Sequence, residues 1–152
     1  MNNLYQVLDG LREFLILSDF TNTVTFGEFS DVDLDKKTNF PLVHMVIRDA
    51  IIEESYIEFN IDMMACDIVD VSKEDYPDDR FLGNTNLQDI LATQLKVITD
   101  AVNFFRRNDL VDNNYITLVD SIQATPFLER FENQLAGWET TITLRSILQS
   151  TC

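Results

Sequence analysis

The chain has 152 residues, 45% hydrophobic and 11% aromatic, enough to bury one domain's core and unlike the composition of a disordered chain. Its 26 acidic against 11 basic residues leave a net charge of −15, which argues against direct nucleic-acid binding, since phosphate needs Lys and Arg, and against an anionic membrane surface. No stretch approaches the roughly 20 apolar residues that span a bilayer, and MNNLYQVLDGLREF has no basic region followed by an apolar run, so the expectation is a protein that works in a cytosol or in something assembled there.

The first predicted element is a helix. Leu4, Val7, Leu8, Leu11, Phe14 and Leu15 recur at three- and four-residue spacing, with Asn2 or Asn3 as cap and Ser18-Asp19 as stop. Gly10 weakens its interior by about 1 kcal/mol relative to Ala, so packing must hold it. Thr23-Val24-Thr25-Phe26 alternates at period two and reads as a strand. A polar loop follows from Ser30 to Lys37. Pro41 then opens Leu42 to Ile47, a well-buried strand, and Glu53-Glu54 marks a turn. Ile57, Phe59, Ile61 and Met63 alternate with Glu58, Asn60 and Asp62, a strand with one wet face that continues towards Ile68. The alternation changes phase at Met63-Met64, where a bulge is expected.

Val71 to Asn84 is non-periodic, dense in acid and punctuated by Pro77 and Gly83, so it reads as an exposed loop. Thr85 to Gln88 fits a capping box. Leu87, Ile90, Leu91, Leu95, Ile98, Ala101, Val102 and Phe105 form the stripe of a second helix, with Asp89 near its positive end and Arg106-Arg107 near its negative end. Tyr115 to Val119 begins another strand, and Trp138 to Ile147 makes the last. Thr125 to Phe131 is expected to be a connection with an apolar side. The order α-β-β-β-α-β-β predicts a single α+β domain over 1–152, a largely antiparallel sheet with both helices on one face. There is no internal repeat, linker or second domain.

Candidate sites are few. Asp31-x-Asp33-x-Asp35 imitates the opening of a calcium loop, but the sixth position is Lys36 rather than Gly and the twelfth is Leu42 rather than Glu. Glu58 and Asp62 share the wet face of a strand, as nuclease carboxylates do, with no basic cluster nearby in sequence. His44 is the single histidine. It reads as structural in its apolar strand, with a base–nucleophile pairing to Cys66 left open. Cys66 and Cys152 do not make a disulfide framework. Cys66 reads as a small buried hydrophobe and Cys152 as an exposed end. Trp138 reads as a core aromatic whose N–H reaches a carbonyl. No phosphate-cradling glycine loop, HExxH or GxSxG is present, so neither a cofactor nor an enzymatic activity is expected. Tyr76, Arg80 and Phe81 in the acidic loop are placed for partner contacts. The acidic balance leaves three readings: a soluble surface, a channel wall that repels DNA, or a DNA mimic that fills a basic groove.

The layout also resembles a family. An amino-terminal helix, a strand opening at a proline (NFPLVHMVI), an alternating strand (YIEFNIDMM), a loop, a helix beginning NTNLQDIL and the ending TPFLERFENQLAGWETTITL follow in order. This looks like the tail-terminator and tail-completion proteins of tailed bacteriophages and their relatives in the neck between portal and tail. The resemblance implies a structural virion protein, assembled in the host cytoplasm, that forms a six- or twelve-fold ring. It would join neighbouring neck, portal-side or tail-tube proteins while DNA passes through without specific binding. It implies docking or lumen roles for Asp31, Asp33, Asp35 and Lys36 and for Tyr76, Arg80 and Phe81. The rival readings are an acidic DNA-mimic inhibitor and another non-enzymatic adaptor.

Overall fold

The structure, a computed structural model, describes residues 3–28, 40–69, 87–107, 116–119, 121–130 and 135–148. Its elements in chain order are α1 (Asn3–Ile16), β1 (Thr23–Phe26), β2 (Leu42–Ile52), β3 (Tyr56–Ile68), α2 (Leu87–Arg106), β4 (Ile116–Val119), β5 (Ala124–Arg130) and β6 (Leu135–Ile147). The class is α+β, two helices with a six-stranded, mostly antiparallel sheet. No described helix is long and apolar enough to cross a membrane.

Strand order is β1-β2-β3-β6-β4, with β5 also paired to β6. β1 runs parallel to β2, and every other pairing is antiparallel. The central pair, β3 with β6, holds one register from Tyr56↔Ile147 to Ile68↔Leu135 without interruption. Odd-numbered residues of β3 face the helices. Phe59, Ile61, Met63 and Ala65 there join Val43, Met45, Ile142 and Leu144 in the main core. α1 brings Val7, Leu11 and Leu15 down onto them, one residue per turn. The 20 residues of α2 give a rod of about 30 Å that lies over the sheet. Phe14 of α1 stacks on Phe104 of α2 at 4.4 Å between centroids.

Three expectations change. The bulge lies in β2, between Ile47 and Asp49, and not at Met63-Met64. The phase change in β3 has another cause: at that end the outer face is buried too. Cys66 packs there with Phe40, Leu42, Phe127 and Leu135 in a second cluster, flanked by Met64 and Ile68. Residues 124–130, read as part of a connection, form β5, an edge strand, which accommodates Pro126 because an edge position can do without an N–H. In α2, Leu95 is exposed while Gln94 and Val97 are buried. The turn after α1 reaches α2 at that level, and the Gln94 amide donates to the Phe20 carbonyl at 3.4 Å. The proposed capping residue Thr85 lies outside the described residues.

The edges of the sheet are uneven. β1 covers β2 only from Leu42 to Met45, and the Gly27 N–H makes a last bond to the Met45 carbonyl. Gly27 then takes φ 114°, a left-handed conformation that favours glycine. Among the described residues no strand pairs with the outer side of β2 from Arg48 to Ile52, or with the outer side of β4. Between Val119, opposite Thr143, and Ala124, opposite Thr140, four chain positions span two positions of β6. β4 and β5 are therefore two offset pieces of one interrupted edge.

Candidate functional site

The outer face of the sheet, away from the helices, carries the polar chemistry. It is built row by row from the pairing register, because residues opposite one another in antiparallel strands share a face. At the apolar end, Leu42, Cys66, Gly137 and Phe127 lie in one row. Gly137 is required there: a Cβ would sit 1.9 Å from the Ala65 carbonyl oxygen. Phe127 lies across from the space that glycine leaves. The next residue, Trp138, turns to the helix side and donates its indole N–H to the Leu91 carbonyl of α2 at 2.8 Å, the core role read from the sequence.

The next row holds Thr25, His44, Met64, Glu139 and Thr125. The Thr25 hydroxyl and His44 Nδ1 are 2.7 Å apart, a bond that ties β1 to β2. Burial lowers the His44 pKa from its ordinary value, against the opposing pull of a hydrogen bond with the Gly27 backbone and the nearby Glu28 charge. The imidazole is therefore neutral at neutral pH.

Beyond it, Asp62 accepts from Arg48 Nε at 3.2 Å and from the Thr141 hydroxyl at 2.7 Å. In the following row the Thr143 hydroxyl donates to Asn60 Oδ1 at 2.6 Å, and the Asn60 amide donates to Asp49 at 2.5 Å. This relay crosses three strands. At the hairpin end, Arg145 donates to Glu58 from Nε at 2.9 Å and from Nη2 at 2.6 Å. Its guanidinium also lies 4.4 Å from the centre of the Tyr56 ring. A shallow cavity of about 770 Å³ opens over the middle of this face, with His44, Arg48, Asp62, Gln123, Thr125 and Glu139 among its walls.

Glu58 and Asp62 thus share the wet face, as their spacing predicts. Each has an arginine from a neighbouring strand, so the basic partners that sequence proximity did not offer come from β2 and β6. His44 and Cys66 lie in adjacent rows of the same face, yet the pair is not an activated nucleophile. Burial, aided by the Asp67 charge, pushes the Cys66 thiol up to about 12, so it remains protonated. Cys66 is a free, buried thiol. Asp67 itself is raised by burial, against the bond it accepts from the Ile68 N–H. Among the described residues, no three His, Cys, Asp or Glu side chains come together as metal ligands.

The sequence-predicted contact residues Asp31, Asp33, Asp35, Lys36, Tyr76, Arg80 and Phe81 all lie outside the described residues, as does Cys152. The pairs that sequence reading missed are Thr25–His44, Arg48–Asp62 and Arg145–Glu58. One of them had a signal. Thr141, Thr143 and Arg145 alternate in β6 as Glu58, Asn60 and Asp62 do in β3, and aligning the two polar sets puts Arg145 opposite Glu58. Comparison with protein-family models gave no match, and comparison with curated proteins gave none.

Proposed function

We propose that this chain is a non-enzymatic structural subunit of a tailed bacteriophage, closing into a ring at the head–tail junction or on the end of the tail tube. The observation that carries the reading is the pair of sheet edges left without a strand partner among the described residues, β2 on one side and β4 on the other. Exposed strand edges are aggregation hazards unless another strand covers them. In a head-to-tail ring each copy's edge is covered by its neighbour, and closure leaves none exposed.

Two further features support it. The element order, now α-β-β-β-α with three strands after it, keeps the layout on which the resemblance to tail-terminator and neck proteins rests. The net charge of −15 suits a wall past which DNA must slide without sticking. Six or twelve copies, with neck, portal-side or tail-tube proteins above and below, follow from that resemblance. No cofactor is needed, and the ring joins the virion from the host cytoplasm. The DNA-mimic alternative fits less well, because Glu58 and Asp62 on the sheet face are each bonded to an arginine and so are poor stand-ins for phosphates.

Electron microscopy of the purified protein tests the proposal. Annular particles of uniform diameter with a central opening are the expected result. Particles of single-subunit size, or open filaments, would contradict it.

A further inference from the structure

The ring reading leaves open which surfaces meet, and the register narrows the choice. Across the hairpin end, four strands share four rows: Ile52–Ile57–Ser146–Ile116, Ile51–Glu58–Arg145–Thr117, Ala50–Phe59–Leu144–Leu118 and Asp49–Asn60–Thr143–Val119. The two edges that carry no partner strand among the described residues, β2 from Asp49 to Ile52 and β4 from Ile116 to Val119, therefore lie at the same height and span the same four positions.

Their hydrogen-bonding sense also matches. The Glu53 N–H bonds the Tyr56 carbonyl. In an antiparallel ladder, bonded and non-bonded pairs alternate, so Ile51 and Asp49 turn their backbone groups towards β3. Ile52 and Ala50 turn theirs outward. On the other flank the Leu148 N–H bonds the Ser55 carbonyl. The same alternation makes Ser146 and Leu144 bond β3, and Arg145 and Thr143 bond β4. In β4 the outward backbone groups are then those of Ile116 and Leu118.

All four outward residues share rows with residues of the helix-side core, Ile57 and Phe59 on β3. Strands join into one sheet only when facing bonded residues lie on the same side, and this condition is met between the two edges. Strand direction agrees as well. β2 and β6 run one way and β3 and β4 the other, so β4 of one copy meets β2 of an identically oriented copy as an antiparallel pair. Ile52 is 76% exposed and Ile51 45% exposed, an apolar edge that isolated proteins seldom leave bare.

We infer that a second copy of this chain occupies the β2 edge, presenting its β4 edge, so that the sheet continues from subunit to subunit with all helices on one side. This inference rests on the ring reading and specifies its contact. A two-fold pairing of β2 with β2 would also be antiparallel, but it would leave both β4 edges bare.

The test uses sedimentation velocity and cysteine cross-linking. Ala50→Pro removes one outward N–H without touching a bond to β3, and Ile52→Lys places a charge on the edge; both are judged folded by circular dichroism. Each is expected to sediment as a monomer where the wild type is a closed oligomer. Independently of these variants, Ile51→Cys with Thr117→Cys, in a chain carrying Cys152→Ser, is expected to give a ladder of covalent multimers with a short bismaleimide. Cys66 is too buried and too weakly acidic to react. Either single cysteine should give no ladder. A closed oligomer that survives both edge changes would overturn this contact while leaving the ring standing. Covalent dimers from Ile51→Cys alone would overturn it in favour of β2–β2 pairing. A wild type that is monomeric throughout would overturn the ring reading itself, and this contact with it.

Discussion

The two ends of the sheet's outer face are made from the same strands, β2, β3 and β6, yet they differ in nearly every physical respect. At one end Phe40, Leu42, Cys66, Phe127 and Leu135 form a second buried cluster. At the other, Arg48 bonds Asp62 and Arg145 bonds Glu58 on a half-wet surface, and β2 runs out exposed from Arg48 to Ile52. What separates them is cover. β5 lies beside β6 at the first end and contributes Phe127, whereas among the described residues the second end has β4 alone and an open flank. Apolar burial is concentrated where the face is covered, and exposed polar pairs where it is not.

Substitutions break this comparison in graded steps. The largest effect is expected from Gly137→Ala, since the added methyl meets the backbone of Ala65 and Cys66 and neither strand can yield without losing the central pairing. A loss of about 3 kcal/mol or more is expected, read as a collapse of the urea midpoint or as failure to fold. Phe127→Ala comes next, removing a side chain that is 4% exposed, at a cost of about 3 kcal/mol in the same titration. At the open end Arg145→Ala should cost only about 1 kcal/mol, because the Arg145 side chain is 39% exposed even though Glu58 is more buried. Arg48→Ala, at a more exposed pair, should fall below about 0.5 kcal/mol. If the two arginine changes cost as much as Phe127→Ala, the contrast between the ends is wrong.

Acidity sharpens the boundary between the two regions, where His44 sits. Its folded pKa is lowered by burial, so between the folded value and the unfolded value of about 6.5 the unfolded chain binds more protons. Stability should therefore be full above that range and should fall as pH drops through it. Asp67 acts in the opposite sense, since its raised pKa makes the native state bind the proton more readily as pH falls towards the carboxylate range. Thermal midpoints measured from pH 7.5 to 5 should decline, and His44→Gln should flatten that decline. A slope unchanged in the variant would remove His44 from the account.

Much of this architecture was legible from periodicity. Val7, Leu11 and Leu15 announce α1, and the alternation of Ile57 to Met63 announces a half-wet strand, because side-chain period follows directly from backbone geometry. The errors have a common source in tertiary context. Met63-Met64 read as a bulge because a strand buried on both faces loses its alternation, and only Phe40, Leu42 and Phe127, distant in sequence, reveal the second cover. Pro126 disguised β5 as part of a connection. Gln94 took the inward place expected of Leu95 because the Phe20 carbonyl, in the turn after α1, meets a donor there. The arginine pairs depend on register, which a single strand's pattern does not specify. The acidic stretches around Asp31 and Tyr76 lie outside the described residues, so their part in docking rests on residue type and on the resemblance.

The central claim, that open edges drive closure into a ring, meets its most direct test in the native mass of the purified chain. Light scattering across a hundredfold range of concentration, with and without magnesium, provides it. The account predicts one closed species with more than two subunits and a mass that does not grow as concentration rises. A monomer or a simple dimer at every concentration would contradict it, as would a mass that climbs without limit.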